Sequence, residues 1–376
     1  MFSLPGSIQA VPSRAQAEVE TGMSFRVSTS MDDLPVLGEF YKAVREDLST
    51  RFHPEMERLQ QALSEGSEDF RAALENQIRQ YEGGLVDATV IGLDASSRMA
   101  DAGEVATIIA CGVAVANRPN LRPAHILRTA FGTAGEELGR AKSAITICAE
   151  IDSAIEATKV QDSLILWDGG FSALNLEINK AVGALKTDAI EYVKDDVERL
   201  LTNRTAESKP LFCEHGHRLI SVGKKGISRR YAKQLKLAVD LSDKSVLSQI
   251  LKAGEYTLPA PYKEIFGTDK GFGVPQKTDK IDLSWMQGFY NKIRVTYFKP
   301  HPWSPAMRVE FHDDQDLPTV LGVVQAQTTT RAVMEPLQIY MADLLANQCS
   351  HAMKLYGDVN SRRYPDLYKP TRTVSR

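Results

Sequence analysis

Cysteine is scarce and scattered in this chain of 376 residues: Cys111, Cys148, Cys213 and Cys349 form no paired motif. That spacing excludes a disulfide-stapled secreted scaffold and a four-thiolate zinc site, and it reads as the reduced thiols of a cytoplasmic protein. Cys213-Glu214-His215-Gly216-His217 gathers a thiol and two imidazoles, but no second cluster supplies the missing ligand, so it reads as a surface loop before a strand. The sequence also lacks an apolar run long enough to span a membrane, and its N-terminus lacks the basic-then-apolar order of a secretory signal. An excess of either charge is missing too. Lys and Arg number 45 against 48 Asp and Glu, so no global field attracts a polyanion, and any nucleic-acid contact must be a local basic surface. Gly267-Thr268-Asp269-Lys270-Gly271-Phe272-Gly273 has glycines but neither the strand nor the lysine-hydroxyl ending of a phosphate loop.

What is present is ordinary globular material, with 43% hydrophobic residues and a length that allows one large domain or two ordinary ones. Within it, two segments stand out, each an apolar strand that runs into an aspartate and then small residues. They are Val90-Ile91-Gly92-Leu93-Asp94-Ala95-Ser96-Ser97 and Leu164-Ile165-Leu166-Trp167-Asp168-Gly169-Gly170. A buried strand holds such a carboxylate on rigid backbone, and the small residues after it let a bulky anion approach. Two carboxylates brought together this way repel each other and take up a proton unless a divalent cation sits between them. Hard oxygen ligands favour Mg²⁺ or Mn²⁺ over zinc. This is the donor set of metal-assisted phosphoryl chemistry.

The organisation along the chain divides into four parts: a flexible arm over 1–30, a helical section over 31–83, a main domain over 84–355 and a tail over 356–376. In the second part Val36, Phe40, Val44 and Leu48 share one helical stripe, which Met56, Leu59 and Leu63 resume after His53-Pro54. The main domain opens with the strand to Asp94 and a hairpin partner around Val105 to Val115. A helix is expected from about Ile126 to Ala157, then the strand to Asp168, then an amphipathic helix from Leu174 to Leu201. The expected fold is α/β, a mixed ribonuclease-H-like sheet flanked by helices.

The order of these motifs resembles the NurA nuclease family. The carrying residues are Gly92-Leu93-Asp94-Ala95-Ser96, the glutamate helix, Trp167-Asp168-Gly169-Gly170, the strand Leu219-Ile220-Ser221-Val222-Gly223 leading to Lys224-Lys225, and the helix from Asp243 to Leu251. Strands around Val295 to Phe298 and Met307 to Phe311 and a closing helix after Glu335-Pro336 extend the likeness to about residue 350. The resemblance implies Asp94, Glu150 and Asp168 as metal ligands. Glu156 is the second choice on the helix that also bears Asp152. Lys224, or Lys225 after a one-residue shift, would steady a phosphate. Where the family carries a tyrosine and then an alanine-histidine pair, this chain has Met334-Glu335-Pro336 and Ala342-Asp343. Asp343 can offer a metal or water contact but not an imidazole.

The implied activity is divalent-metal-dependent DNA hydrolysis in end processing, repair or phage defence. The implied partners are DNA, a HerA-type hexameric ATPase and a second copy of the chain. Two other readings stay open: a non-catalytic adaptor that keeps the nuclease fold, and an actin-like phosphate-binding enzyme that also begins with strand, aspartate and small residues. The stretch Lys224, Lys225, Arg229, Arg230, Lys233 and Lys236 with Tyr231 fits a DNA track or a solvated helix face.

Overall fold

A computed structural model describes residues 66–348 except 85, 103–104, 134–136, 185–190, 202–206, 224–227, 237–240 and 267–283. Outside that range it describes 42, 44–54, 57, 58, 61, 64, 351 and 355. The chain divides into two compact units, 1–62 and 63–376. In the first, described positions from 44 to 54 are helical and include a π-helical turn at Leu48–Phe52. The expected arm over 1–30 and tail over 356–376 lie outside the described residues.

The second unit is built on one ten-stranded sheet. Its strands are β1 (Ile78–Gln80), β2 (Thr89–Ala102), β3 (Val105–Ala116), β4 (Ala124–Thr133), β5 (Ser163–Asp168), β6 (Leu219–Gly223), β7 (Glu255–Thr257), β8 (Ala260–Pro261), β9 (Ile293–Lys299) and β10 (Met307–His312). Helices of eight or more residues are α1 (Ser67–Leu74), α2 (Glu137–Thr158), α3 (Phe171–Ala184), α4 (Glu191–Leu201), α5 (Asp243–Ile250), α6 (Ser284–Lys292), α7 (Leu317–Gln327) and α8 (Leu337–Ala346).

The spatial order is β1-β7-β9-β10-β6-β5-β2-β3-β4, with β8 paired to β9 off this path. Strands β2, β3 and β4 form an antiparallel meander, while β5 lies parallel to β2 and β6 parallel to β5. The run β4-β3-β2-β5-β6 is the ribonuclease-H-like core expected from the sequence. Antiparallel β10, β9, β7 and β1 then widen the sheet on the β6 side.

Alternation along the strands sorts the core into two layers. Ile91, Leu93, Ile165 and Trp167 face the layer that contains Ile145, Cys148 and Ile151 of α2 and Leu174 and Ile178 of α3. Val90 and Leu166 face the opposite layer with Val320, Leu321 and Val324 of α7 and Ile339 of α8. On that side Ile109, Cys111 and Val113 of β3 also pack with Ala342 and Ala346 of α8.

Several elements differ from the sequence expectation. Residues 124–133 form β4 instead of the start of a helix, in register with β3 from Ala114↔Ala124 to Val105↔Thr133. Ten consecutive pairings with a mostly apolar partner outweigh the weak local helical preference of this segment. The helix expected over 174–201 is found as α3 and α4, and residues between them lie outside the described set. Ile78–Gln80, placed in the helical section by pattern, is a short strand pairing with β7.

One close approach fixes where α8 sits. A Cβ at Gly92 would lie 2.2 Å from the Gln338 carbonyl and 2.6 Å from the Ile339 nitrogen, so only glycine lets the first turn of α8 rest on β2. We expect Gly92→Ala to destabilise the protein by about 1–3 kcal/mol through overpacking. A urea midpoint equal to wild type in that variant would contradict this packing.

Candidate metal centre

The register of two parallel strands builds the centre. Leu93 of β2 pairs with Trp167 of β5, the last pair between them, so Asp94 and Asp168 follow side by side on strands roughly 4.8 Å apart. Asp168 ends β5, whereas β2 continues along β3 alone. The two carboxylates therefore occupy a notch where the parallel strands part. Both have the same alternation as Gly92 and Leu166 and point to the α8 face. From that helix Asp343 completes the group: one oxygen from each of Asp94, Asp168 and Asp343 lies within 4.8 Å of the others.

The helix is pinned at this position by a short relay. Asn347 Nδ2 donates to Asp343 Oδ1 at 3.1 Å, and Ser96 Oγ donates to Asn347 Oδ1 at 3.1 Å. Ser96 lies two residues past Asp94 on the same face of β2, so one strand carries both a carboxylate of the cluster and the anchor for the helix that brings the third.

Electrostatics mark the group as acids that repel one another. Burial, then the charge of Asp168, then the charge and hydrogen bond of Asp343 push the Asp94 carboxyl up to about 8, against the weaker pull of the Ala95 N–H. Glu150 is raised well above the usual carboxylate range by burial first and then by Asp94 and Asp168, while a hydrogen bond from Trp167 opposes the shift. Glu150 nevertheless stands apart. It projects from α2, on the opposite face of the sheet, is held by the Trp167 indole, and lines a cleft of about 290 Å³ with Ser97, Lys142, Thr146 and Glu177. The structure thus gathers Asp94 and Asp168 as the sequence suggests and adds Asp343, while Glu150 reaches the group through its field and lies outside the three-oxygen cluster.

The other acids of α2 are occupied elsewhere. Asp152 is buried between Arg128 and Arg199, with the latter at 2.9 Å, and Glu156 pairs with Lys159 at 2.5 Å on the surface. Lys224 and Lys225 lie outside the described residues. In the basic stretch that follows, Tyr231 is buried edge-on against Tyr297, so its ring cannot stack on a base. That corrects the reading of this tyrosine as part of a DNA track.

A second carboxylate-imidazole group, His312, Asp313 and Asp314, also has ligand atoms within 4.8 Å. Its charge is already balanced, since Lys292 lies 3.4 Å from Asp314 and Arg294 lies 3.1 Å from Asp313. Sequence reasoning missed Ser96 and Asn347 as anchors. Their distance along the chain hides them, although Asn347 at four residues after Asp343 on one helix face is a spacing that invites the pairing.

A meander followed by two parallel strands, with acids at the diverging strand ends, defines a mixed α/β nuclease fold of the ribonuclease-H-like kind. More particularly, it is the fold of the NurA nucleases. The crystal structure of the NurA nuclease from Sulfolobus solfataricus aligns with a TM-score of 0.55 over 85% of this chain and 97% of that one, at 11% identity. A second NurA crystal structure aligns with a TM-score of 0.50 over 84% and 99%, at 10% identity. No protein-family profile matches the sequence, and no curated protein matches it.

The raised Asp94 carboxyl has a measurable consequence. Its folded value near 8 exceeds the ordinary 3.8, so the native state holds a proton that the unfolded chain has lost between those values. Stability from this group is fully present below about pH 4 and is lost as pH rises through about 8. Asp94→Asn removes the dependence. In metal-free buffer it should gain on wild type between pH 5 and pH 8.5 by at least about 1.4 kcal/mol, the equivalent of one pKa unit. Parallel urea-stability curves of the two proteins across that range would count against it.

Proposed function

We propose that this chain is a divalent-metal-dependent DNA nuclease that hydrolyses phosphodiester bonds. The observation that carries the reading is the convergence of Asp94, Asp168 and Asp343, from two strand ends and one helix, on a single half-buried point. Three carboxyl groups, of which Asp94 is pushed up to about 8 by burial and its neighbours, are poorly matched to one another when ionised and well matched to Mn²⁺ or Mg²⁺. The NurA fold supports a nuclease over other metal chemistry.

In this reading Asp94 and Asp168 grip the cation from rigid backbone, and Asp343 closes the site through α8. Glu150, on the α2 side, would add a further carboxylate to the metal-holding set, as the motif order implies. Bound there, the metal supplies a water of lowered pKa and neutralises the leaving oxygen. Gly169, with φ of +86° and open space where a Cβ would lie, keeps the turn after Asp168 free of a side chain, so a phosphate can come close. Lys224, or Lys225 beside it, contributes a point charge to that phosphate.

We further assign a HerA-type hexameric ATPase and a second copy of the chain as partners, by the resemblance in motif order, with work in DNA end processing, repair or defence in the cytoplasm. Among the described residues no helix is long and apolar enough to cross a membrane. The adaptor reading draws on one specific feature, Asp343 in place of a histidine.

End-labelled DNA incubated with and without Mn²⁺ separates the two. We expect cleavage only with the metal, and a loss of about 10²-fold or more in Asp94→Ala and Asp168→Ala. Asp343→Ala should lower the rate, and Asp343→His should preserve or raise it. No cleavage by wild type with Mn²⁺ favours the adaptor, and full activity in either strand-end variant sinks the assignment of the centre.

A further inference from the structure

Arg308 and Glu310 alternate on β10 and point to one face, with side chains only 2% and 0% exposed. Arg308 Nε lies 2.8 Å from Glu310 Oε1. A buried ion pair is weak support for a fold, because desolvation offsets most of the attraction. What these two side chains touch explains them better. Glu310 Oε2 accepts the Phe171 N–H at 2.7 Å, at the first residue of α3. A Cβ at Gly170 would fall 1.8 Å from Arg308 Nη2, and one at Gly223 would fall 3.0 Å from Nε. Arg308 Nη2 also lies 3.4 Å from Ser172 Oγ.

Around them, the Tyr290 hydroxyl donates to the Phe171 carbonyl at 3.0 Å, and Ser221 Oγ donates to the Gly169 carbonyl. The guanidinium is thus wedged between the turn that follows Asp168 and the last residue of β6. Both glycines are the size they are because Arg308 fills the space. Asp168 is paired with Val222 of β6, but the turn after it, with one residue at positive φ and two glycines, has little stiffness of its own, so what grips the next four residues helps to set the end of β5.

We propose that Arg308 and Glu310 are a positioning pair that holds the Asp168 carboxylate in place for the cation. The proposal rests on the metal-dependent reading above. Groups that orient a ligand without touching the metal commonly change affinity about 10–100-fold when lost. A merely structural pair would change stability instead.

The test uses the full chain and Mn²⁺ alone, with binding followed by the paramagnetic resonance of free Mn²⁺ and folding by thermal melting. The double variant Arg308→Met with Glu310→Leu removes both charges at similar volume, a change that often leaves stability equal or higher. We expect it to melt near the wild-type temperature, since relief of the buried charges offsets the unpaired Phe171 N–H, yet to bind Mn²⁺ at least about tenfold more weakly. Amide exchange across residues 169–173 should speed up. Should the double variant fail to fold, Glu310→Gln, which keeps an oxygen for the Phe171 N–H, is expected to fold and to lose a smaller share of affinity. Wild-type Mn²⁺ affinity in a folded double variant, or in Glu310→Gln if only that variant folds, overturns the pairing role. Absence of Mn²⁺ binding by wild type sinks the metal reading itself, and unchanged amide exchange in the variant then also rejects the grip on the turn.

Discussion

Repulsion among carboxylates is the constraint around which the sheet, the closing helix and the buried network are arranged. Oxygens of Asp94, Asp168 and Asp343 lie within 4.8 Å of one another, and the charges of Asp168 and Asp343 raise the proton affinity of Asp94 and oppose the packing that brings the three together. The fold supplies that packing from outside the cluster. Parallel pairing of β2 with β5 sets the first two acids, and α8 lies against β2 at Gly92 to set the third. Apolar contacts of Ala342 and Ala346 on the β3 face hold the helix down. The hydrophobic layers on both sides of the sheet thus maintain an electrostatically unfavourable arrangement.

Much of this was legible in the sequence, for local reasons. Val90 to Leu93 and Leu164 to Trp167 are continuous apolar runs of the kind central parallel strands require, and each ends at an aspartate. Asp343 was picked out only as a substitute for an imidazole. Its convergence with the strand-end acids depends on how α8 lies across the sheet, which no local pattern encodes. The choice of Glu150 over Asp152 and Glu156 rested on the resemblance in motif order; in the structure Asp152 is occupied by two arginines and Glu156 by Lys159, and Glu150 feels Asp94 and Asp168.

The misread elements share a cause. Ala124–Thr133 carries alternation weak enough to pass for helix, and only pairing with β3 decides it. Tyr231 looked like a stacking platform among basic residues because sequence shows charge but not direction. Its ring turns inward to Tyr297 while Arg230 reaches Glu264. Arg308 and Glu310 read as ordinary charges on a strand, yet both are buried. A strand that faces helices on both sides has no solvent face for them.

The link between Ser96 and Asn347 spans 251 positions of sequence. A chain emerging from the ribosome can pair β2 with β5 long before α8 exists, since synthesis runs from the N-terminus. The three-acid cluster therefore forms only once α8 has been made. Any chain that stops short of α8 carries only the two strand-end aspartates.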